Sequence, residues 1–203
     1  MTNKQTQVTW IDRPGLLLPP WREIPLSNGI DVALVDEADF ERCMERKWHA
    51  HWAHGRRYKY ASCNITKIEA AKYGVNVRGE ITERDANGRI AYTRTTLHQF
   101  LKGRRPGYVL DHKNGNALDC RSANLRWATH RGNSANQTKR VDCSSTFKGV
   151  FWSKQHKGWV AQIRHIGEQS YLGKFENEID AARVYDAAAR RLFGEFARPN
   201  FPA

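Results

Sequence analysis

Residues 108–129 read YVLDHKNGNALDCRSANLRWAT, and the reading of the whole chain works outward from this stretch. The apolar run Val109-Leu110 reads as a strand that ends on two chemically capable side chains, Asp111 and His112. Neighbouring side chains of a strand point to opposite faces, so these two can serve different tasks. An imidazole titrates near neutral pH, which suits His112 to the role of a base. The surroundings are strongly basic. Between His98 and Arg140 nine Lys or Arg stand against Asp111 and Asp119, so this segment carries +7 of the chain's formal +12. A charge of that size concentrated around a polar motif points to a polyanion as partner. An anionic membrane is the weaker candidate, because the chain has no long apolar run and a stretch such as Leu16-Leu17-Leu18 is far too short to span.

At 203 residues the chain has room for two small domains. Met1 to Gln7 is polar throughout, so no secretory leader is expected and an intracellular, reducing location follows. Cys43, Cys63, Cys120 and Cys143 form no C-x-x-C pair, and all four are expected to be free thiols. Four of the seven prolines fall in the first 26 residues, which suits an extended arm over residues 1–28. In the β-rich region expected over 29–97, Ile30, Val32 and Leu34 alternate as in a half-buried strand, and Glu37 to Glu45 reads as a short helix. Trp48 to Tyr60 mixes His49, His51, His54, Arg56, Arg57 and Lys59 with Trp48, Trp52, Tyr58 and Tyr60. This stretch fits either a stacking surface for nucleic acid or a strand pair with aromatics inward. Ile81 to Thr95 looks like a hairpin turning at Asn87-Gly88.

The central stretch resembles the HNH homing endonucleases of phages and bacteria, in the branch whose pattern runs D-H-x-N-G-N-x-L-D-x-R-x-x-N-L-R-x-A-T followed by Asn residues. Thr96-Leu97-His98-Gln99-Phe100-Leu101 is similar to an upstream segment of that branch, with Gln99 in place of the usual Arg, and the likeness covers residues 24 to 140. Cutting a phosphodiester requires a base to activate water and a hard cation to offset charge on the phosphate and leaving oxygen. The resemblance implies that Asp111 and Asn133 bind the metal, that His112 activates water and that Asn124 orients the imidazole. Two oxygen donors favour Mg²⁺ or Mn²⁺ over zinc. The resemblance also implies a ββα motif: a strand ending at His112, a loop through Asn114 to Arg121, a strand at Leu125 to Trp127, and a helix from about Thr129 to Gln137. Asn114-Gly115-Asn116 then has a structural role in the loop. His98 either supports the active site or is a hydrogen-bonded structural histidine; His130 and Asn136 are weaker candidates.

Beyond a linker at 141–146, two short strands lie in Phe147 to Ile163, divided by a turn at Ser153 to Gly158, and a third lies at Tyr171 to Phe175. Glu178 to Phe193 reads as a helix with a stripe of Ala181, Ala182, Tyr185, Ala188, Ala189 and Leu192. Asn177 and Asp180 form a candidate capping box, and Gly194 closes the last turn. Phe147 to Val150, Trp159 to Arg164, Tyr171 to Phe175, Ala181 to Asp186 and Asn200 to Pro202 together resemble the Apetala-two/ethylene-response-factor (ERF) DNA-binding domain. That family uses its three-stranded sheet in the major groove. Carried over by position, Lys148, Trp159, Gln162, Arg164 and Tyr171 are the expected contacts, with Arg126 and Arg131 of the motif as further DNA-binding cations. Sheet packing is the competing role for Trp159 and Tyr171. Phe151 and Gln162 replace the Arg and Glu common in plant regulators, so sequence preference does not carry over.

The expected fold is α+β: an N-terminal mixed β-rich region, a ββα-metal motif over 98–140, and a three-stranded antiparallel sheet on one helix over 147–203. The expected function is a metal-dependent DNA endonuclease of the homing type, acting on double-stranded DNA as a monomer or homodimer. The expected setting is the cytoplasm of a bacterial or phage-infected cell. The rivals are a non-cleaving DNA-binding transcriptional regulator and an RNA-binding protein using Trp48 to Tyr60.

Overall fold

The computed structural model describes residues 11–13, 16–17, 21–53, 58–75, 77, 80–139 and 143–202. His54, Arg56, Arg57, much of the expected arm and part of the expected linker lie outside the described residues. The chain divides into two compact units, Met1–Pro106 with Asn116–Trp127, and Gly107–Gly115 with Ala128–Ala203.

The first unit opens with the small antiparallel pair β1 (Ile11–Arg13) and β2 (Leu16–Leu17). Next come β3 (Trp21–Pro25), β4 (Val32–Asp36) and helix α1 (Glu37–Met44). The unit continues through β5 (His49–Ala53), β6 (Tyr58–Thr66), α2 (Lys67–Lys72), β7 (Tyr92–Thr96) and α3 (Leu97–Lys102). β3 and β4 pair antiparallel with Ile24 opposite Ala33, and β5, β6 and β7 form a second antiparallel sheet with β6 in the centre. Thr66 caps α2 by accepting the Glu69 N–H at 3.1 Å. Trp48 anchors the core: it is 1% exposed, donates its indole N–H to Cys43 O at 2.8 Å, and meets Phe100 edge-on at 5.6 Å. Ile24, Val35, Ile65 and Leu97 close around these rings.

Three expectations change here. The alternation in β4 runs in the opposite phase: Ala33 and Val35 are buried while Ile30 is 86% exposed and Val32 lies outside. The larger apolar residues misled the phase, because the face opposite Ile24 has room for alanine. Within the expected arm, Trp21–Pro25 is a core strand, and Ile24 and Leu26 are buried. The Asn87-Gly88 turn exists, with Gly88 at φ 75 and Asp85 Oδ1 accepting from Asn87 N and Arg89 N, but its arms do not form a ladder. One isolated bridge, Arg84 to Ile90, precedes β7, whose partner is β6 from Ser62↔Thr96 to Thr66↔Tyr92. The described residues of the Trp48 to Tyr60 stretch include paired strands, with His51 opposite Tyr60 and Trp52 opposite Lys59; Trp48 faces the core while Trp52 is 49% exposed.

In chain order the motif then supplies β8 (Val109–His112), β9 (Leu125–Ala128) and helix α4 (His130–Asn136), the strand, strand and helix expected. The second unit contains β8 and α4 and continues with β10 (Val150–Ser153), β11 (Gly158–His165) and β12 (Glu168–Phe175). These last three form an antiparallel sheet in that order, and α5 (Glu178–Phe193) packs on it. The helix buries the small stripe anticipated, Ala181, Ala182, Tyr185, Ala188 and Ala189, against Val150, Ala161 and Ile163. Asn177 caps α5 by accepting Ile179 N–H at 2.7 Å. The register shifts between Ala161 and Gln162, where Ala161 faces Gly173 but Gln162 faces Tyr171, leaving Leu172 as the extra residue of a bulge.

Candidate active site

Asp111 and His112 end β8 and are both buried, at 4% and 7% exposure. The helix that follows the second strand is capped by Thr129, whose hydroxyl accepts Gly132 N–H at 3.1 Å. That cap fixes the first turn of α4, where Asn133 stands half-buried with its N–H on Thr129 O at 3.0 Å. One turn on, Asn136 is buried and turned toward the end of β8. Its Nδ2 donates to Asp111 Oδ1 at 2.9 Å, to Asp111 Oδ2 at 3.1 Å and to His112 O at 2.9 Å. Asn136 is therefore the residue that sequence reasoning undervalued. Its signal was its position three residues after Asn133, on the same helix face.

A carboxylate oxygen is the kind of donor a hard divalent cation takes. Asp111 offers a carboxylate that a neutral amide orients, and Asn133 on the adjoining helix carries a second amide oxygen. A side-chain amide adds no charge of its own, which leaves the carboxylate's negative charge to attract the ion.

Residues 116–127 place the rest of the motif in the first unit. Asp119 is 1% exposed and takes Arg121 in a bidentate pair, Nε to Oδ1 and Nη2 to Oδ2 at 2.8 Å each. The D-x-R of the pattern is thus a structural clamp. Leu34 of β4 holds the same loop, its N–H on Leu118 O and its carbonyl accepting Cys120 N–H, both at 2.8 Å. Asn124 is buried and donates Nδ2 to Asp119 O at 2.7 Å, which fixes the direction of its amide. His98 is held inside the first unit, with Nε2 3.1 Å from Thr96 Oγ1 and its ring 5.5 Å from that of Tyr60. A ring nitrogen of His98 lies within 4.8 Å of Cys120 Sγ. Burial pushes the Cys120 thiol well above its ordinary pKa, with the Asp119 charge acting in the same direction.

On the sheet module the expected contacts separate by face. Gln162, Arg164 and Tyr171 lie on the face away from α5, with Tyr171 opposite Gln162 and Arg164 opposite Gln169. Tyr171 is 63% exposed. Trp159 alternates to the other face with Ala161 and Ile163, packs against the core and meets Trp152 edge-on at 5.2 Å. On that face it lies opposite Trp152, beside the turn at Ser153 to Gly158. Lys148 is also engaged: its ammonium donates to Ala135 O and its N–H to Asn200 Oδ1. Arg131 and Arg164 line one cleft of about 590 Å³, together with His130 and Lys148. Arg126 is half-buried on β9. Among the described residues, no helix is long and apolar enough to cross a membrane.

Comparison with known proteins agrees with both halves. A family model described as HNH endonuclease matches residues 99–135. A protein of Acanthamoeba polyphaga mimivirus named as an uncharacterized HNH endonuclease is 34% identical over 110 residues, covering 51% of this chain and 56% of that protein. Protein 3.8 of Escherichia phage T7 is 34% identical over 92 residues, covering 45% of this chain and 75% of its own length. The C-terminal region is similar to plant proteins such as dehydration-responsive element-binding protein 2D of Arabidopsis thaliana, 42% identical over 66 residues, which span 30% of each chain.

Proposed function

Because the chain belongs to the HNH endonuclease family and ends in an ERF-type DNA-binding domain, we propose that it is a metal-dependent, site-directed DNA endonuclease of the homing type acting on double-stranded DNA. The observation that carries the proposal is the buried Asp111-His112 pair with α4 laid against it through Asn136. Asp111 and Asn133 would hold Mg²⁺ or Mn²⁺, which would supply positive charge for the phosphate and the leaving oxygen. His112 takes the proton of the attacking water, from the face of β8 opposite to that of Asp111. Asn136 keeps the carboxylate in one orientation. Asn124 retains the supporting role that the motif gives it.

Sequence reading falls to the open face of the C-terminal sheet. Gln162, Arg164 and Tyr171 supply an amide, a guanidinium and a stacking ring at adjoining register positions. Arg131 and Arg164 line the same cleft, which joins basic charge on α4 to that on β11.

Supercoiled plasmid incubated with the full chain tests the reading. Nicked or linear product in Mg²⁺ or Mn²⁺, none in EDTA, and 5′ phosphate at the cut ends are the expected results. Intact plasmid across metals and salts, with retained duplex binding, would support the non-cleaving regulator instead. Preferential competition by RNA would support the third class.

A further inference from the structure

The nuclease strand and helix share one compact unit with the sheet module, and the segment after α5 reaches both of them. Phe196, at the end of the 3-10 turn Gly194–Phe196, lays its ring on Gly132 in α4. A Cβ added at Gly132 would lie 3.1 Å from the ring carbons. Two residues on, Arg198 crosses Gly115, in the turn that closes from Gly115 N–H to His112 O at 2.8 Å. Gly115 sits at φ +76, and any side chain there would run into the guanidinium. At the other end of α4, Lys148 Nζ donates to Ala135 O. Just past the helix, Lys139 Nζ donates to Phe147 O at 2.6 Å. α4 has seven residues, far fewer than the roughly 12–15 below which isolated helices are marginal in water. Its order must come from packing, and these side chains supply it.

We propose that Phe196 and Arg198 are positioning residues of the cleavage site. The C-terminal tail clamps α4 and the turn after His112, so the sheet module fixes the geometry of Asp111, His112 and Asn133 in addition to reading DNA. This rests on the nuclease reading above. It implies that the module is not an exchangeable address: without it, the motif loses the surface that holds its helix.

The test uses the full chain with Phe196→Ala, Phe196→Tyr and Arg198→Met, read by hydrogen exchange and by nicking of supercoiled plasmid in Mg²⁺. Phe196→Ala is expected to speed exchange of the α4 amides while α5 stays protected, and to slow nicking about tenfold or more, since small misplacements of catalytic groups have large effects. Duplex affinity should stay within about threefold, as the open sheet face is untouched. Phe196→Tyr keeps the ring and should restore both. Arg198→Met, which leaves the α5 core intact, should loosen the Gly115 amide and slow nicking likewise. Wild-type exchange at both α4 and Gly115 in the two clamp variants would overturn the proposal. A wild-type chain that never nicks would defeat the nuclease reading alone, and the exchange readout would still decide the clamp.

Discussion

Asp186→Ala should loosen the C-terminal half of the protein by several kcal/mol. Asp186 is a charged residue on α5 that is only 1% exposed, and its carboxylate collects the chain end. Oδ1 accepts Asn200 N–H at 2.7 Å and Asn200 Nδ2 at 2.9 Å, while Oδ2 accepts Phe201 N–H at 2.8 Å. Asn200 in turn bridges to the start of the sheet, with Oδ1 accepting Lys148 N–H at 2.6 Å and Nδ2 donating to Lys148 O at 3.1 Å. Hydrogen bonds to a charged acceptor are worth about 1.5–3 kcal/mol each, so three of them bound the loss at about 9 kcal/mol. The donors left behind sit on a tail that can turn toward water, which brings the expected loss to about 3–4 kcal/mol. In native-state hydrogen exchange, 3 kcal/mol corresponds to roughly a hundredfold faster exchange of the α5 and β11 amides. Asp186→Asn keeps one acceptor oxygen and should fall between. Exchange within about threefold of wild type in Asp186→Ala would refute this account of the tail, and with it the anchoring of Phe196 and Arg198.

Burial pushes the Tyr185 phenol up to about 12, so the folded module holds its proton where the unfolded chain gives it up. Stability from this group is complete below pH 10 and is lost as pH rises from about 10 to 12, by about 2–3 kcal/mol. Tyr185→Phe should flatten that part of the curve, measured as urea midpoint against pH; an unchanged slope would contradict it. Among the thiols, Cys43 and Cys63 are buried with pKa values pushed up to about 12 and about 11 by burial, and Cys120 is buried as well. Cys143 is exposed. Alkylation at pH 8 followed by mass mapping should label Cys143 first and the other three only in denaturant; early labelling of Cys120 would argue against the packing of the motif loop.

Much of this was legible in the sequence where local and global signals agree. β8 and α5 were readable because an apolar run in one and an Asn cap with a helical stripe in the other favour the observed element, while α4 was expected from the motif's resemblance. The pairing of Asp186 with Asn200 and Phe201 also explains why two separate blocks of the ERF-like pattern occur together. Phase and partner were harder to read. In β4 the buried residue opposite Ile24 is Ala33, a choice fixed by a neighbouring strand that local alternation does not reveal. β7 pairs with β6, more than twenty residues back, in place of the arm across the Asn87-Gly88 turn. In the site, Asn136 was a weaker candidate than Asn133 but holds Asp111, a partnership across the strand and helix that spacing does not reveal. The face assignment of Trp159 depended on sheet register and on what the helix side has to cover.

The central claim is tested most directly by one paired measurement on His112→Ala: the rate of Mg²⁺-dependent nicking of supercoiled plasmid, and the affinity for the same DNA uncut. Loss of a general base is expected to slow nicking by about 10²–10⁴-fold, with affinity within about threefold because the basic surfaces and the open sheet face remain. Nicking at the wild-type rate would contradict the account, and so would parallel loss of cutting and binding, which would make His112 a structural residue.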